Sequence, residues 1–168
     1  MSEARLLPVL SDDPALERDA EALYEAVSGL VRAYQSLDRD RICCHDISIS
    51  QCYALEGVVR RGGLTLNELA AHLYLDKSTA SRVVDALERK GYMSRTTHPR
   101  DGRAVLLVPT DSGTALYKTI RKGMLAEEQA LLTGFPPEIR QAMTQLISRL
   151  ARAVSDRVEA GGSCCKLD

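Results

Sequence analysis

The sequence is poor in large aromatic side chains: tryptophan is absent and phenylalanine occurs once among 168 residues. Hydrophobic residues still make up 45% of the chain, so a core can form, but it must be mainly aliphatic. Long apolar runs are also missing, and no stretch approaches the roughly 18 residues needed to cross a bilayer. The start of the chain lacks the basic and apolar pattern of a signal peptide. We therefore expect a cytoplasmic protein with no membrane partner.

Charge of one sign does not dominate, because the formal net charge is −1. That value identifies no partner by itself. The sequence also lacks a glycine-rich phosphate-binding loop, and no nucleophile is accompanied by a credible general base. A thiol oxidoreductase would more usually carry two cysteines separated by two residues. These absences argue against an enzyme.

What the sequence does contain is a series of helix signals, beginning at Pro14 after two aspartates. From there, apolar residues recur at alternating spacings of four and three. This heptad-like stripe predicts a long helix that packs against a partner helix. The stripe consists of Leu16, Ala20, Leu23, Val27, Leu30, Tyr34 and Leu37.

Three further helix starts follow in the middle of the chain. Ser48 and Thr65 each stand three residues before Gln or Glu, which is the pattern of a capping box. Asp76 predicts the N-cap of a fourth helix that runs to Lys90 and is closed by Gly91. The third and fourth helices are short and are separated by only a few residues, which is typical of a helix-turn-helix.

After Gly91 the periodicity changes from helix to strand. "YMSRTT" and "RAVLLV" have strand character, and "HPRDG" between them is rich in turn-forming residues, so a hairpin is predicted. Thr110 then begins a long helix to about Leu132, and a last helix follows "GFPPE" with a regular apolar stripe from Ile139 to Val158.

The fourth helix and the hairpin have the chemistry of a DNA-binding surface. Small hydroxyl side chains near the helix start allow close approach to DNA, and Arg82 could reach a guanine edge. Arg100 and Arg103 flank the hairpin tip, where arginine suits a narrow minor groove. From Lys77 to Arg103 there are seven positive and three negative side chains, so this segment is locally basic.

The segment "LTLNELAAHLYLDKSTASRVVDALERKGYMSRTTHPRDGRAVLLVPTDSG" resembles the winged helix-turn-helix of MarR-type transcriptional regulators. The long flanking helices match that family in order and length. The resemblance implies a mainly α fold, in which long N- and C-terminal dimerisation helices flank a winged helix-turn-helix with a two-stranded β wing. In such a wing Arg103 would enter the minor groove and Asp101 would orient the arginines, although histidine stands where the family has its first acidic residue.

The resemblance also implies a homodimer that binds double-stranded operator DNA with a pseudo-palindromic sequence, without a cofactor. We divide the chain into an N-terminal dimerisation helix with its connector (1–45), a DNA-binding domain (46–110), C-terminal dimerisation helices (111–160) and a flexible cysteine-containing tail (161–168). The predicted DNA-binding residues are Lys77, Ser78, Thr79, Ser81, Arg82, Arg100, Asp101 and Arg103.

Four of the five cysteines form two adjacent pairs, Cys43 with Cys44 and Cys164 with Cys165. An odd number of thiols in a cytoplasmic chain argues against structural disulfides. Adjacent Cα atoms are about 3.8 Å apart, which is closer than the roughly 4.4–6.8 Å of most disulfides. The fifth, Cys52, lies on an apolar helix face and is predicted to be a core residue.

Brought together, the two pairs could surround one soft ion, because thiolates select soft metals. We predict Cys43, Cys44, Cys164 and Cys165 as ligands for arsenic or antimony, or alternatively for cadmium, mercury, lead, copper(I) or zinc. The protein would then be a repressor that releases DNA when this inducer binds. Two alternatives stay open: a repressor that senses oxidants through the same thiols, and a regulator of a small organic (phenolic) ligand whose thiols are idle.

Overall fold

The computed structural model describes residues 13–42 and 44–161. This part of the chain forms two compact units, one ending at Ile120 and the other beginning at Arg121. No helix among the described residues is long and apolar enough to cross a membrane. The elements are α1 (Pro14–Ile42), α2 (Ile49–Arg61), β1 (Leu64–Thr65), α3 (Leu66–His72), α4 (Lys77–Arg89), β2 (Met93–His98), β3 (Asp101–Pro109), α5 (Asp111–Leu132) and α6 (Pro137–Gly161).

Both predicted capping boxes are confirmed. At α2, the Ser48 hydroxyl accepts from the Gln51 backbone amide and the Gln51 side chain accepts from the Ser48 amide, each at 3.2 Å. At α3, the Thr65 amide donates to Glu68 at 2.7 Å and the Glu68 amide donates to the Thr65 hydroxyl at 3.3 Å. Each box satisfies two amides that have no partner inside the helix.

The sheet is antiparallel with the strand order β1-β3-β2, so the predicted hairpin is present and the mainly α winged fold is confirmed. A third strand, β1, was not predicted; it is two residues long and pairs Leu64 with Leu107. Both long strands also extend further than predicted. β2 reaches His98 and β3 starts at Asp101, so the predicted five-residue tip is shortened to Pro99 and Arg100.

The core of the first unit is aliphatic, as the scarcity of aromatic residues predicts. Cys52 is 4% exposed, which confirms its assignment to the core. Burial raises the pKa of its thiol to about 11, with the Glu56 and Asp38 carboxylates adding to the effect. Cys52 is therefore a protonated thiol in an apolar setting. The largest fully buried side chains are Ile42, Leu55, Leu69, Leu87, Leu107, Val58 and Val84.

Two long helices carry apolar faces that remain exposed in the single chain. On α1, Leu16 and Leu23 are 53% and 48% exposed, and on α6, Leu146 and Ile147 are 64% and 51% exposed. Contiguous apolar surface of this kind marks a site of association. The division of the chain into four functional segments stays a prediction, and residues 162–168 of the predicted tail lie outside the described residues.

Candidate nucleic-acid interface

Asp76 fixes the start of α4, the second helix of the helix-turn-helix. Its carboxylate accepts the Thr79 amide at 2.9 Å and the Ser78 hydroxyl at 2.6 Å. These hydrogen bonds lower the pKa of Asp76 and keep it charged, and the bond from Ser78 has the largest effect on the pKa. The Ser78 hydroxyl, predicted to contact DNA, therefore donates within the cap in this structure. Its oxygen lone pairs and the helix N-terminus remain at the surface.

The outward face of α4 is basic. Ala80, Val84 and Leu87 are buried beneath it, while Val83 is only partly covered. Arg82 and Arg89 are exposed, and neither forms an ion pair within the described part of the chain. Lys77 is exposed at the start of the helix, with Thr79 and Ser81 partly covered beside it. This face therefore offers guanidinium groups that are not already neutralised.

Arg95 joins the wing to α4. Its Nη2 lies 2.7 Å from Oδ1 of Asp85, and its Nη1 lies 2.5 Å from Oε2 of Glu88. The hydrogen bond that Arg95 donates to Asp85 raises the pKa of Arg95, and the charges of Glu88 and Asp85 add to the effect. Arg95 is one of the seven positive side chains that make the segment from Lys77 to Arg103 basic, but it is paired inside the protein. An arginine early in the strand after a helix with acids at i and i+3 is the signal that could have revealed this contact.

The wing tip is held by two bonds from side chains to backbone amides. Asp101 accepts from the Arg103 amide at 3.0 Å, and the His98 Nδ1 accepts from the Arg100 amide at 3.3 Å. Asp101 thus fixes the backbone at Arg103, and its role in orienting the wing arginines stays a prediction. The guanidinium groups of Arg100 and Arg103 are exposed, and no carboxylate pairs with them in the described ranges. The tip therefore presents two exposed arginines on a turn that these two hydrogen bonds stabilise.

Comparison with known proteins identifies the family that shares this arrangement. The MarR family matches residues 47–105. The HTH-type transcriptional regulator Mb0904 of Mycobacterium bovis is 30% identical over 138 residues, covering 80% of this chain and 96% of that protein. This chain belongs to the MarR family. The HTH-type transcriptional regulator TtmR of Methylorubrum extorquens is also 30% identical, with 84% of this chain and 72% of that protein covered.

Solved MarR-family structures share the fold. A MarR family protein from Bacillus stearothermophilus superposes with a TM-score of 0.75 at 22% identity, covering 83% of this chain and 97% of that one. The transcriptional regulator SlyA gives a TM-score of 0.73 at 19% identity, covering 83% and 99%. The sequence resemblance is therefore confirmed, as is the prediction of a transcriptional regulator rather than an enzyme. Regulators of the MarR family bind DNA and act as dimers.

The predicted thiol site of this MarR-family chain is described only in part. Cys44 is exposed in the turn that follows α1. Cys43, Cys164 and Cys165 lie outside the described residues, so the meeting of the two pairs stays a prediction. Among residues 13–42 and 44–161, no group of three or more histidine, cysteine or acidic side chains is placed to hold a metal ion.

Proposed function

We propose that this protein is a homodimeric repressor that binds double-stranded operator DNA. The observation that carries the proposal is the set of exposed guanidinium groups at Arg82, Arg100 and Arg103, which have no carboxylate partner within the described structure. Arg82 on α4 has the chemistry to read a guanine edge in the major groove. The two wing arginines suit the negative potential of a narrow minor groove. Phosphate neutralisation by such residues dominates affinity for DNA.

The exposed apolar faces of α1 and α6 support the dimer. Leu146 and Ile147 leave more than half of their surface in water in one chain, which a second copy could cover. A two-fold dimer would place two copies of α4 on half-sites roughly one DNA turn, or about 10 base pairs, apart. The matching operator would be a pseudo-palindrome, because the symmetry of the protein is reflected in its DNA site.

DNA binding is tested by fluorescence anisotropy on promoter fragments from upstream of the protein's own gene. We expect Arg103→Ala to weaken binding to all duplexes and to reduce the slope of affinity against salt by about one. Arg82→Ala should cost about 1–3 kcal/mol and relax the preference at one base pair. Arg121→Ala removes an exposed arginine of α5 outside this face and is the matched control. Equal affinity for the promoter and a scrambled duplex would contradict the proposal.

Dimerisation is tested by sedimentation equilibrium. Leu146→Glu combined with Ile147→Glu places two charges on the apolar face of α6, so we expect a monomer with greatly reduced operator affinity. Gln145→Glu adds a charge on the opposite face of the same helix and should remain dimeric. A double variant that keeps the wild-type mass would show that this face is not the interface.

We further propose that operator binding is relieved when Cys43, Cys44, Cys164 and Cys165 bind a thiophilic metal or metalloid such as arsenite or antimonite. No cofactor is required for DNA binding in this scheme, and the soft ion acts as the inducer. Two adjacent thiol pairs offer the soft donor set that such ions select. The setting would be cytoplasmic, where DNA and reduced thiols coexist. Cys52 is excluded as the sensor, because its thiol is buried and its pKa is raised.

Titration of the reduced protein with arsenite, antimonite, cadmium, mercury, lead, zinc and copper(I) would identify the inducer by release of operator DNA. Cys43→Ser and Cys164→Ser should abolish release, whereas Cys52→Ala should retain it. If both serine variants still released operator DNA as the unaltered protein does, metal sensing through these cysteines would be rejected. Release by peroxide in chelated buffer, reversed by dithiothreitol, would instead support the oxidant alternative. Release by a phenolic compound from a variant lacking both pairs would support the organic-ligand alternative.

A further inference from the structure

Lys90 connects the C-terminal end of α4 to the turn that carries Cys44. Lys90 is the C-cap residue of α4, and its backbone amide donates to Ala86. Its ammonium group donates to the backbone carbonyl of Asp46 and, at 3.2 Å, to the side-chain oxygen of Gln51. The Asp46 carboxylate is 3.5 Å away. One side chain at the end of α4, the recognition helix of the proposed DNA interface, therefore reaches both the turn after α1 and the first turn of α2.

Asp46, which accepts from Lys90, belongs to a short turn that comprises residues 44–48. Within it, the His45 amide donates to Ile42 at 2.9 Å and the Ile47 amide donates to His45 at 2.7 Å. Gln51 also accepts the Ser48 amide through the same side-chain oxygen that meets Lys90. A change in this turn therefore alters the positions of the groups that hold the ammonium.

The backbone and amide contacts matter more than the ion pair. The Asp46 side chain is 85% exposed, so its attraction for Lys90 is strongly screened, while the Lys90 side chain is only 28% exposed. A charged donor that loses its acceptors in a partly buried position must move to find others. The Asp46 carbonyl and the Gln51 side-chain oxygen are therefore the acceptors that hold the Lys90 ammonium in place.

A displacement of Lys90 would also displace the N-terminal part of α4, where Arg82 lies. The helix rises about 1.5 Å per residue, so Arg82 lies roughly 12 Å from Lys90 along a single rigid rod. A small tilt at the C-terminal end displaces the opposite end, where base contacts require close positioning. We therefore expect DNA affinity to depend on the contacts that hold Lys90.

We propose that Lys90 is a positioning residue through which the turn at residues 44–48 sets the orientation of the recognition helix, so that a chemical change at Cys44 alters operator affinity through Lys90. This inference rests on the proposed DNA-binding function and supplies a route for the proposed thiol response. It does not depend on which natural inducer the thiols take. Cys44 stands two residues before Asp46 and is exposed, so a reagent can be attached there.

The experiment uses the full chain with Cys43→Ser, Cys164→Ser and Cys165→Ser, which leaves Cys44 and the buried Cys52. N-ethylmaleimide is added, and mass spectrometry confirms one adduct on Cys44. We expect the adduct to weaken operator binding about tenfold when Lys90 is present and less than about threefold in Lys90→Met. Lys90→Arg should restore most of the response, because it keeps a charged donor.

Two controls separate this role from general damage. Lys118→Met removes the same charge from an exposed position on α5 and should keep the full tenfold response. Asp46→Asn removes the screened carboxylate but leaves the carbonyl acceptor, so it should also keep the response. Thermal melts establish that each variant is folded. Should Lys90→Met fail to fold, Lys90→Gln, which retains a polar end, provides the second test.

The inference would be overturned if the adduct weakened operator binding equally in Lys90→Met and in the protein that keeps Lys90. It would also be overturned if the adduct weakened operator binding in neither protein. A loss of about one from the salt slope in unmodified Lys90→Met would also overturn it, because Lys90 would then be a phosphate contact. The two proposals can fail separately. If no metal or oxidant releases DNA from the unaltered chain, thiol sensing is rejected. If the effect of the adduct still depends on Lys90 in that case, the positioning role of Lys90 is retained.

Discussion

The guanidinium group of Arg95 lies 2.7 Å from the carboxylate of Asp85, and this contact joins the wing to the recognition helix. Glu88, one helical turn further along α4, adds a second contact at 2.5 Å. Strand β2 and helix α4 are therefore fixed to each other at Arg95. We therefore expect Arg95 to position the wing relative to α4 rather than to contact DNA.

Arg95→Ala should weaken operator binding about five- to tenfold, because the wing is no longer fixed to α4. The side chains of Arg95 and Asp85 are 40% and 44% exposed, so the loss of unfolding free energy should stay near 1 kcal/mol or below. The slope of affinity against salt should be unchanged, since no phosphate contact is removed. Anisotropy titrations at several salt concentrations, with thermal melts, provide both measurements.

Exchange of the charges is the control for this pair. Arg95→Asp combined with Asp85→Arg should recover part of the affinity lost in Arg95→Asp alone, because an ion pair forms again in the reverse sense. A fall of the salt slope by about one in Arg95→Ala would show that Arg95 contacts a phosphate, contrary to this assignment.

Gly113 near the start of α5 allows the close approach of Tyr92. A Cβ atom at residue 113 would lie 1.9 Å from the Tyr92 carbonyl oxygen, which is backbone and cannot turn away. Gly113→Ala should therefore lower the free energy of unfolding by about 3 kcal/mol or more, measured by urea denaturation. Gly123→Ala is the matched control on α5, because nothing lies within 4 Å of its added Cβ. It should be neutral or stabilising by up to about 1 kcal/mol.

The features that could be predicted from the sequence are those that depend only on residues close together along the chain. The capping boxes at Ser48 and Thr65 and the cap at Asp76 are local patterns, and all three are confirmed. β1 was missed because two residues are too short to show a strand period, and its pairing with β3 is remote in sequence. The pairing of Arg95 was missed for a similar reason, since it joins a strand to a helix face through tertiary packing.

Protonation of Asp76 should weaken the start of α4 at low pH. Hydrogen bonds hold its pKa below the ordinary value of 3.8 in the folded chain, so its stabilising effect is present above that value. The effect is lost as the pH falls through the folded pKa, because the unfolded state then takes up the proton first. Asp76→Asn keeps a good N-cap but cannot titrate.

Chemical unfolding of the two proteins from pH 5 downward measures this effect. Stability should fall more steeply in wild type than in Asp76→Asn, so the difference between them should shrink as pH decreases. Asp111→Asn, a change at an exposed acid near the start of α5, controls for loss of general charge. Parallel pH curves for wild type and Asp76→Asn would show that the cap does not contribute to acid sensitivity.

Asp38 of α1 is a buried carboxylate that Tyr53 of α2 satisfies. Asp38 is 8% exposed, the Tyr53 hydroxyl donates to its Oδ2, and Arg41 lies 3.7 Å from its Oδ1. Burial, followed by this hydrogen bond, raises the pKa of Tyr53, so the phenol remains a donor at neutral pH. Tyr53→Phe removes one donor and leaves a buried charge with less compensation. We expect a loss of about 1–3 kcal/mol in unfolding free energy.

The control for this pair is Tyr24→Phe, which removes the same hydroxyl from a residue of α1 that is 73% exposed. It should change stability by less than about 0.5 kcal/mol. A double variant, Tyr53→Phe with Asp38→Asn, should lose less than the sum of the single losses, because the carboxylate that needed the donor is gone. Strict additivity in denaturant titrations would contradict the contact. Coupling would show that the hydrogen bond joins α1 to α2.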